Sequence, residues 1–188
     1  MKLVRESLQP LFEIGEANVK SYKLSYKGII KEWEGADVSD WNMKAYEFLT
    51  EDNDKYEVTF LPTGTTQVID GKVFNVRVDF KVKGQKQPLT INKGRIFKVL
   101  TTVCNAIKDY LKRNPQTFSL VIIPSKSEAG KETRFNLYSK YIESQIPSGW
   151  RISILDNPTP SDSHESSRIF QLIDDQKYAE YSAIKNKE

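Results

Sequence analysis

A chain of 188 residues, 38% hydrophobic and 11% aromatic, can bury one core and is too short for two full domains. A single cysteine, Cys104, and a single histidine, His164, exclude a disulfide framework and a Cys/His metal cluster, so no metal is expected. No apolar run reaches the roughly 20 residues of a membrane span, and "MKLVRESLQPLFEIGEANVK" has acids where a secretion signal is apolar; a soluble, intracellular protein is expected.

Residues 1–44 read as an N-terminal arm, with one weakly alternating strand from Tyr22 to Ile30. Next, "KAYEFLT" and "KYEVTFL" alternate apolar and polar residues around the polar turn Glu51 to Asp54, the pattern of an antiparallel hairpin with one buried face. "VFNVRVDFKV" predicts a third strand, with Phe74, Val76, Val78, Phe80 and Val82 on one side. The apolar period then lengthens. "RIFKVLTTVCNAIKDYLKRNP" places Ile96, Val99, Leu100, Val103, Ile107, Tyr110 and Leu111 on one helical face and stops at Asn114-Pro115.

"TFSLVIIP" has the composition of a central strand covered on both faces. A polar loop, a helix from about Arg134 to Gln145 and the strand "WRISIL" follow. The expected fold is therefore α/β (α+β): a mixed antiparallel and parallel sheet flanked by helices, with its core over residues 45–155. "DNPTPSDSHESS", with two prolines and five serines or threonines, reads as a linker over 156–167. Residues 168–188 read as a C-terminal amphipathic helix that docks on its own domain or on a partner.

Charge is unevenly spread. Residues 81–140 hold thirteen Lys or Arg against three acids, a local excess of +10, and the remainder of the chain sums to −7. Concentrated charge focuses a field, so one basic surface facing an anionic ligand or partner is expected beside the plainer reading of a solvated lysine-rich face. Nucleic acid is the less favoured partner. The basic span lacks interleaved aromatics that stack on bases, and the isoelectric point of about 8.8 is modest.

The order strand, helix, strand, helix, strand behind a hairpin resembles the core of the GNAT-type N-acyltransferases. In that family the first helix starts at a glycine loop whose amides hold the coenzyme A pyrophosphate, and the second often contains L-Y-x-K followed by G-F. Here "INKGRIF" occupies the first place, and "LYSKY" with "GW" supplies Leu137, Tyr138, Lys140, Gly149 and Trp150 at the second. The resemblance implies an acyltransferase using acetyl-coenzyme A, with Tyr138 as the acid that protonates the departing thiolate. It also implies pyrophosphate binding around Lys93, Gly94 and Arg95. Independently of the resemblance, Arg134 in the first turn of its helix, with Lys131 just before it, calls for an anion to offset a cation beside the positive helix end, so both are further candidate anion ligands. The chain departs from the family loop at Ile91 and Ile96, where a basic or amide residue and a small residue are usual.

"LFEIGEANVKSY", "GRIFKVLTTV" and "RFNLY" together resemble a set of tailed-bacteriophage proteins, which implies a phage origin and residence in a bacterial host cytoplasm or a virion. Each candidate has a structural alternative. Tyr138 reads first as a core tyrosine and Arg134 as one half of a salt bridge, while Gly94 reads equally as an ordinary turn glycine. Glu47, Glu57, Asp79 and Arg77 lie on strands where a general base could sit, Cys104 reads as structural, and Trp33 and Trp41 read as a contact surface or as pins for the arm. The expected function is that of a non-catalytic binding module for a host or virion protein; the alternative is a coenzyme A-dependent N-acyltransferase.

Overall fold

The computed structural model describes residues 19–30, 43–64, 66–83, 93–124, 139, 141–156 and 168–185. Alternation builds the first half. In β2 (Met43–Leu49) Tyr46 and Phe48 enter the core, and in β3 (Lys55–Leu61) Tyr56, Val58 and Phe60 do the same. The two strands form the expected hairpin, in register from Lys44 opposite Phe60 to Leu49 opposite Lys55. β1 (Ser25–Ile30) lies antiparallel to β2, with a bulge between Tyr26 and Gly28, where Gly28 takes φ 76°.

The strand expected over "VFNVRVDFKV" is interrupted. Asn75 adopts φ 61° and divides it into β5 (Lys72–Phe74) and β6 (Val76–Val82). A two-period alternation would keep Phe74 with Val76 and Val78. The extra residue shifts the phase, so Val73 joins the core instead, while Phe74 packs on Phe118 and Tyr178. β4 (Gln67–Ile69) pairs with β5 across Asp70-Gly71, both at positive φ, as a tight primed turn requires.

β6 feeds α1 (Lys93–Arg113), whose expected apolar face is buried or half-buried throughout. Asn114 ends the helix by donating its side-chain amide to the Tyr110 carbonyl at 2.7 Å. β7 (Ser119–Ile122) then runs parallel to β6 with all four residues buried. Helical residues 141–145, here α2, place Tyr141 and Ile142 in the same core as α1. Both therefore cover one face of the sheet.

The C-terminal region corrects the sequence reading. Residues expected at the start of a helix form β9 (Arg168–Asp174), which lies between β7 and the edge strand β8 (Trp150–Asp156) and is antiparallel to both. The sheet order is β1-β2-β3-β6-β7-β9-β8, so it extends beyond the expected 45–155 at both ends: β1 comes from the arm and β9 from the tail. Only the last part of the tail is helical, α3 (Asp175–Lys185). It is capped by Asp174 Oδ1, which accepts from the Lys177 amide at 3.1 Å, and it docks on its own domain through Tyr178 against Phe74. The expected linker begins one residue too early, since Asp156 ends β8; its remainder, 157–167, with His164, and Trp33 and Trp41 lie outside the described residues.

Candidate functional site

The expected anion site lies where α1 begins, at the end of the sheet that also carries the β2–β3 turn. Lys93 and Gly94 open the helix, and its first turn contains no acid. Carboxylates arrive from the turn instead: Arg95 pairs with Asp52, and Lys98 pairs with Glu51. Tyr22 donates its hydroxyl to Glu51 Oε2 at 2.6 Å, and its ring lies 4.3 Å from the Lys98 ammonium. Hydrogen bonds from Lys98 and Tyr22 hold the Glu51 carboxyl down at about 2. Two cations near the positive end of the helix dipole are thus offset from within the chain. Tyr138, Lys131 and Arg134 lie outside the described residues.

A second cluster occupies the sheet face opposite α1. Because neighbours along a strand point to opposite faces, Tyr46 and Phe48 in the core leave Glu47 on the other side. Strand register sets Glu47 opposite Glu57, and Glu57 opposite Lys81. Lys27 Nζ and Lys55 Nζ reach Glu47 Oε2 at 3.3 and 3.0 Å, and Lys83 Nζ reaches Oε1 at 3.1 Å. The carboxylate side chain is only 8% exposed, while the three lysine side chains are 44–52% exposed.

Burial alone would raise the Glu47 pKa. The three lysine hydrogen bonds outweigh it and bring the carboxyl to about 2. So depressed a carboxylate is ionised at neutral pH but is a weak proton acceptor, which counts against Glu47 as a general base. One row further along, Arg77 Nε contacts both Asp79 oxygens, at 2.9 and 3.0 Å. The four strand residues singled out in the sequence, Glu47, Glu57, Arg77 and Asp79, therefore share one face. The lysines that gather on Glu47 were not singled out, because only strand register reveals that Lys27, Lys55 and Lys83 are neighbours.

The parallel ladder between β6 and β7 pairs Val76 with Leu120, Arg77 with Val121 and Val78 with Ile122, and stops there. β6 continues to Val82 with pairing only to β3 among the described residues. The carboxyl ends of the two parallel strands, beside the start of α1, thus form an unladdered edge. Among the described residues no group of His, Cys, Asp and Glu could hold a metal, and no helix is long and apolar enough to cross a membrane. No protein-family model matches the chain, and comparisons with curated proteins and with solved structures find no match.

Proposed function

We propose that this chain is a non-catalytic binding module on a GNAT-like scaffold, encoded by a phage and acting on an acidic protein in the bacterial host cytoplasm or the virion. The observation that carries the binding role is the arrangement around Glu47. Three half-exposed ammonium groups share one buried carboxylate, and exposed Lys81 stands beside them opposite Glu57. Such an excess of positive charge on one open face complements an acidic surface and speeds encounter with it. The succession β6, α1, β7, α2, β8 behind a hairpin supports the scaffold, and the short sequence motifs support the phage origin. The internal pairing of Arg95 and Lys98 favours binding over cofactor chemistry, because it occupies cations that a pyrophosphate would use.

The test is recovery of a partner from a host extract, followed by titration of that purified protein. Replacing Lys27, Lys55 and Lys83 together by Gln should weaken binding at least tenfold. Replacing the exposed α1 residues Lys108 and Lys112 by Gln should leave it unchanged. Equal affinity for both variants would rule out the charged face.

One observation favours the alternative of a coenzyme A-dependent N-acyltransferase: the unladdered carboxyl ends of β6 and β7. In open α/β sheets ligands bind outside the carboxyl ends of strands at such an opening. Micromolar binding of acetyl-coenzyme A, with amine acylation abolished in Tyr138→Phe, would establish this reading in place of the first.

A further inference from the structure

At the other end of the sheet, on the face that carries α1, lies a concavity of about 410 Å³. It is separate from both sites above. Its floor is Phe60, Val73 and Val76, all buried, and its rim carries Ile29 and Val68, two of the exposed large apolar residues, at 49% and 50%. A volume of this size falls within the range of small-molecule sites, and the lining combines apolar side chains with the polar groups of Lys44, Asn114, Gln116 and Thr117.

The polar groups converge from two elements. Lys44 enters from the start of β2, hydrogen-bonds Asn114 Oδ1, and lies 5.8 Å from the centre of the Tyr110 ring. No carboxylate meets it among the described residues, and burial lowers its pKa. The C-terminus of α1 presents only about half a negative charge, and its last turn already contains Lys112 and Arg113. An ammonium has three N–H donors, of which Asn114 takes one. Lys44 is thus a half-buried cation with spare donors at the mouth of an apolar hollow.

We propose that this concavity binds a small monocarboxylate with an apolar body, such as a medium-chain fatty acid. The carboxylate meets the Lys44 ammonium, and the chain lies along the exposed Ile29 and Val68 over the closed floor. A single cation suits a single negative charge. A phosphate dianion would enter the same apolar surroundings half compensated, and uncompensated charge is costly to desolvate.

The experiment is calorimetric titration of the full chain with octanoate, with octanol as the uncharged ligand of equal length. Wild type should bind octanoate at least tenfold more tightly than octanol. Lys44→Met should erase that preference, and Lys44→Arg should keep it. Val68→Glu, a change at an exposed rim position, should weaken octanoate through repulsion at least fivefold. Absence of octanoate binding, equal affinity for octanol, or full octanoate affinity in either Lys44→Met or Val68→Glu would overturn the assignment.

Discussion

The rings of Phe60 and Tyr110 stack face to face, 3.9 Å between centroids and 2° between planes, and join the end of β3 to the last turns of α1. Phe60 is 1% exposed and also meets Tyr46 edge-on at 5.7 Å. Phe60→Ala should destabilise the chain by about 3–5 kcal/mol, since it removes a large buried side chain and leaves a cavity that aromatic neighbours fill poorly. Tyr110→Ala should cost about as much. The double variant should fall short of the sum by roughly 1 kcal/mol, the part that belongs to the pair. Urea unfolding of the four proteins measures all three quantities, and strict additivity would show that the stack is contact without coupling.

Glu47 makes stability depend on acid. Its folded pKa, about 2, lies below the ordinary 4.5, so the folded state binds its proton less readily than the unfolded chain. The resulting stabilisation is fully present above the unfolded value and is lost as pH falls from about 4.5 through 2. Glu47→Gln should flatten that part of the stability profile. At neutral pH it should also destabilise the chain, because Lys27, Lys55 and Lys83 then face one another with only Glu57, 4.0 Å from Lys83, as a counter-charge. Urea midpoints at a series of pH values test both statements. A variant that kept the wild-type acid slope would assign the slope to other carboxylates.

Where a period was legible in the sequence, one face is buried and the other wet. The β2–β3 hairpin and the core stripe of α1 were legible because each shows its own period against polar neighbours. β9 was not. Ile169, Phe170, Leu172 and Ile173 are spaced as on a helix, yet all are buried because β9 is flanked on both edges and covered on both faces. A short apolar run in such a place has no period to read. The break at Asn75 was hidden for a different reason: alternation around it is nearly perfect, and only its positive φ reveals the phase shift. Of the candidate site, the strand charges were visible one at a time. Lys44 was invisible as a site residue, because its neighbours Asn114 and Tyr110 come from the far end of α1, some 70 residues away.

Asn75 combines a left-handed backbone with a half-buried polar junction. Its backbone N–H donates to Ser119 Oγ at 2.9 Å, and its Oδ1 accepts from Ser119 Oγ at 3.0 Å and from Gln171 Nε2 at 2.7 Å. Asn75→Gly loses the side-chain acceptor but keeps an unstrained backbone, for an expected loss of about 1–3 kcal/mol. Asn75→Ala loses the same acceptor and adds the strain of a Cβ at positive φ, so it should be worse by roughly 1 kcal/mol. Thermal or urea unfolding of the pair separates the two contributions. Equal stability of the Gly and Ala variants would mean that the backbone relaxes out of the left-handed region.

Cys104 is 3% exposed in the middle of α1, and burial pushes its thiol up to about 12, with Lys108 opposing only slightly. Reaction with a disulfide reagent needs the thiolate and access to it, and the folded chain withholds both. In the native state, labelling at neutral pH should therefore be slower than in the urea-unfolded chain by more than about a thousandfold, as expected when it proceeds only through global opening of a domain of ordinary stability. Adding Phe60→Ala should raise the native labelling rate about tenfold for every 1.4 kcal/mol of stability lost, because the same opening governs both. Rapid labelling of the wild type, or a rate indifferent to Phe60→Ala, would place Cys104 in a local opening of α1 rather than in the shared core.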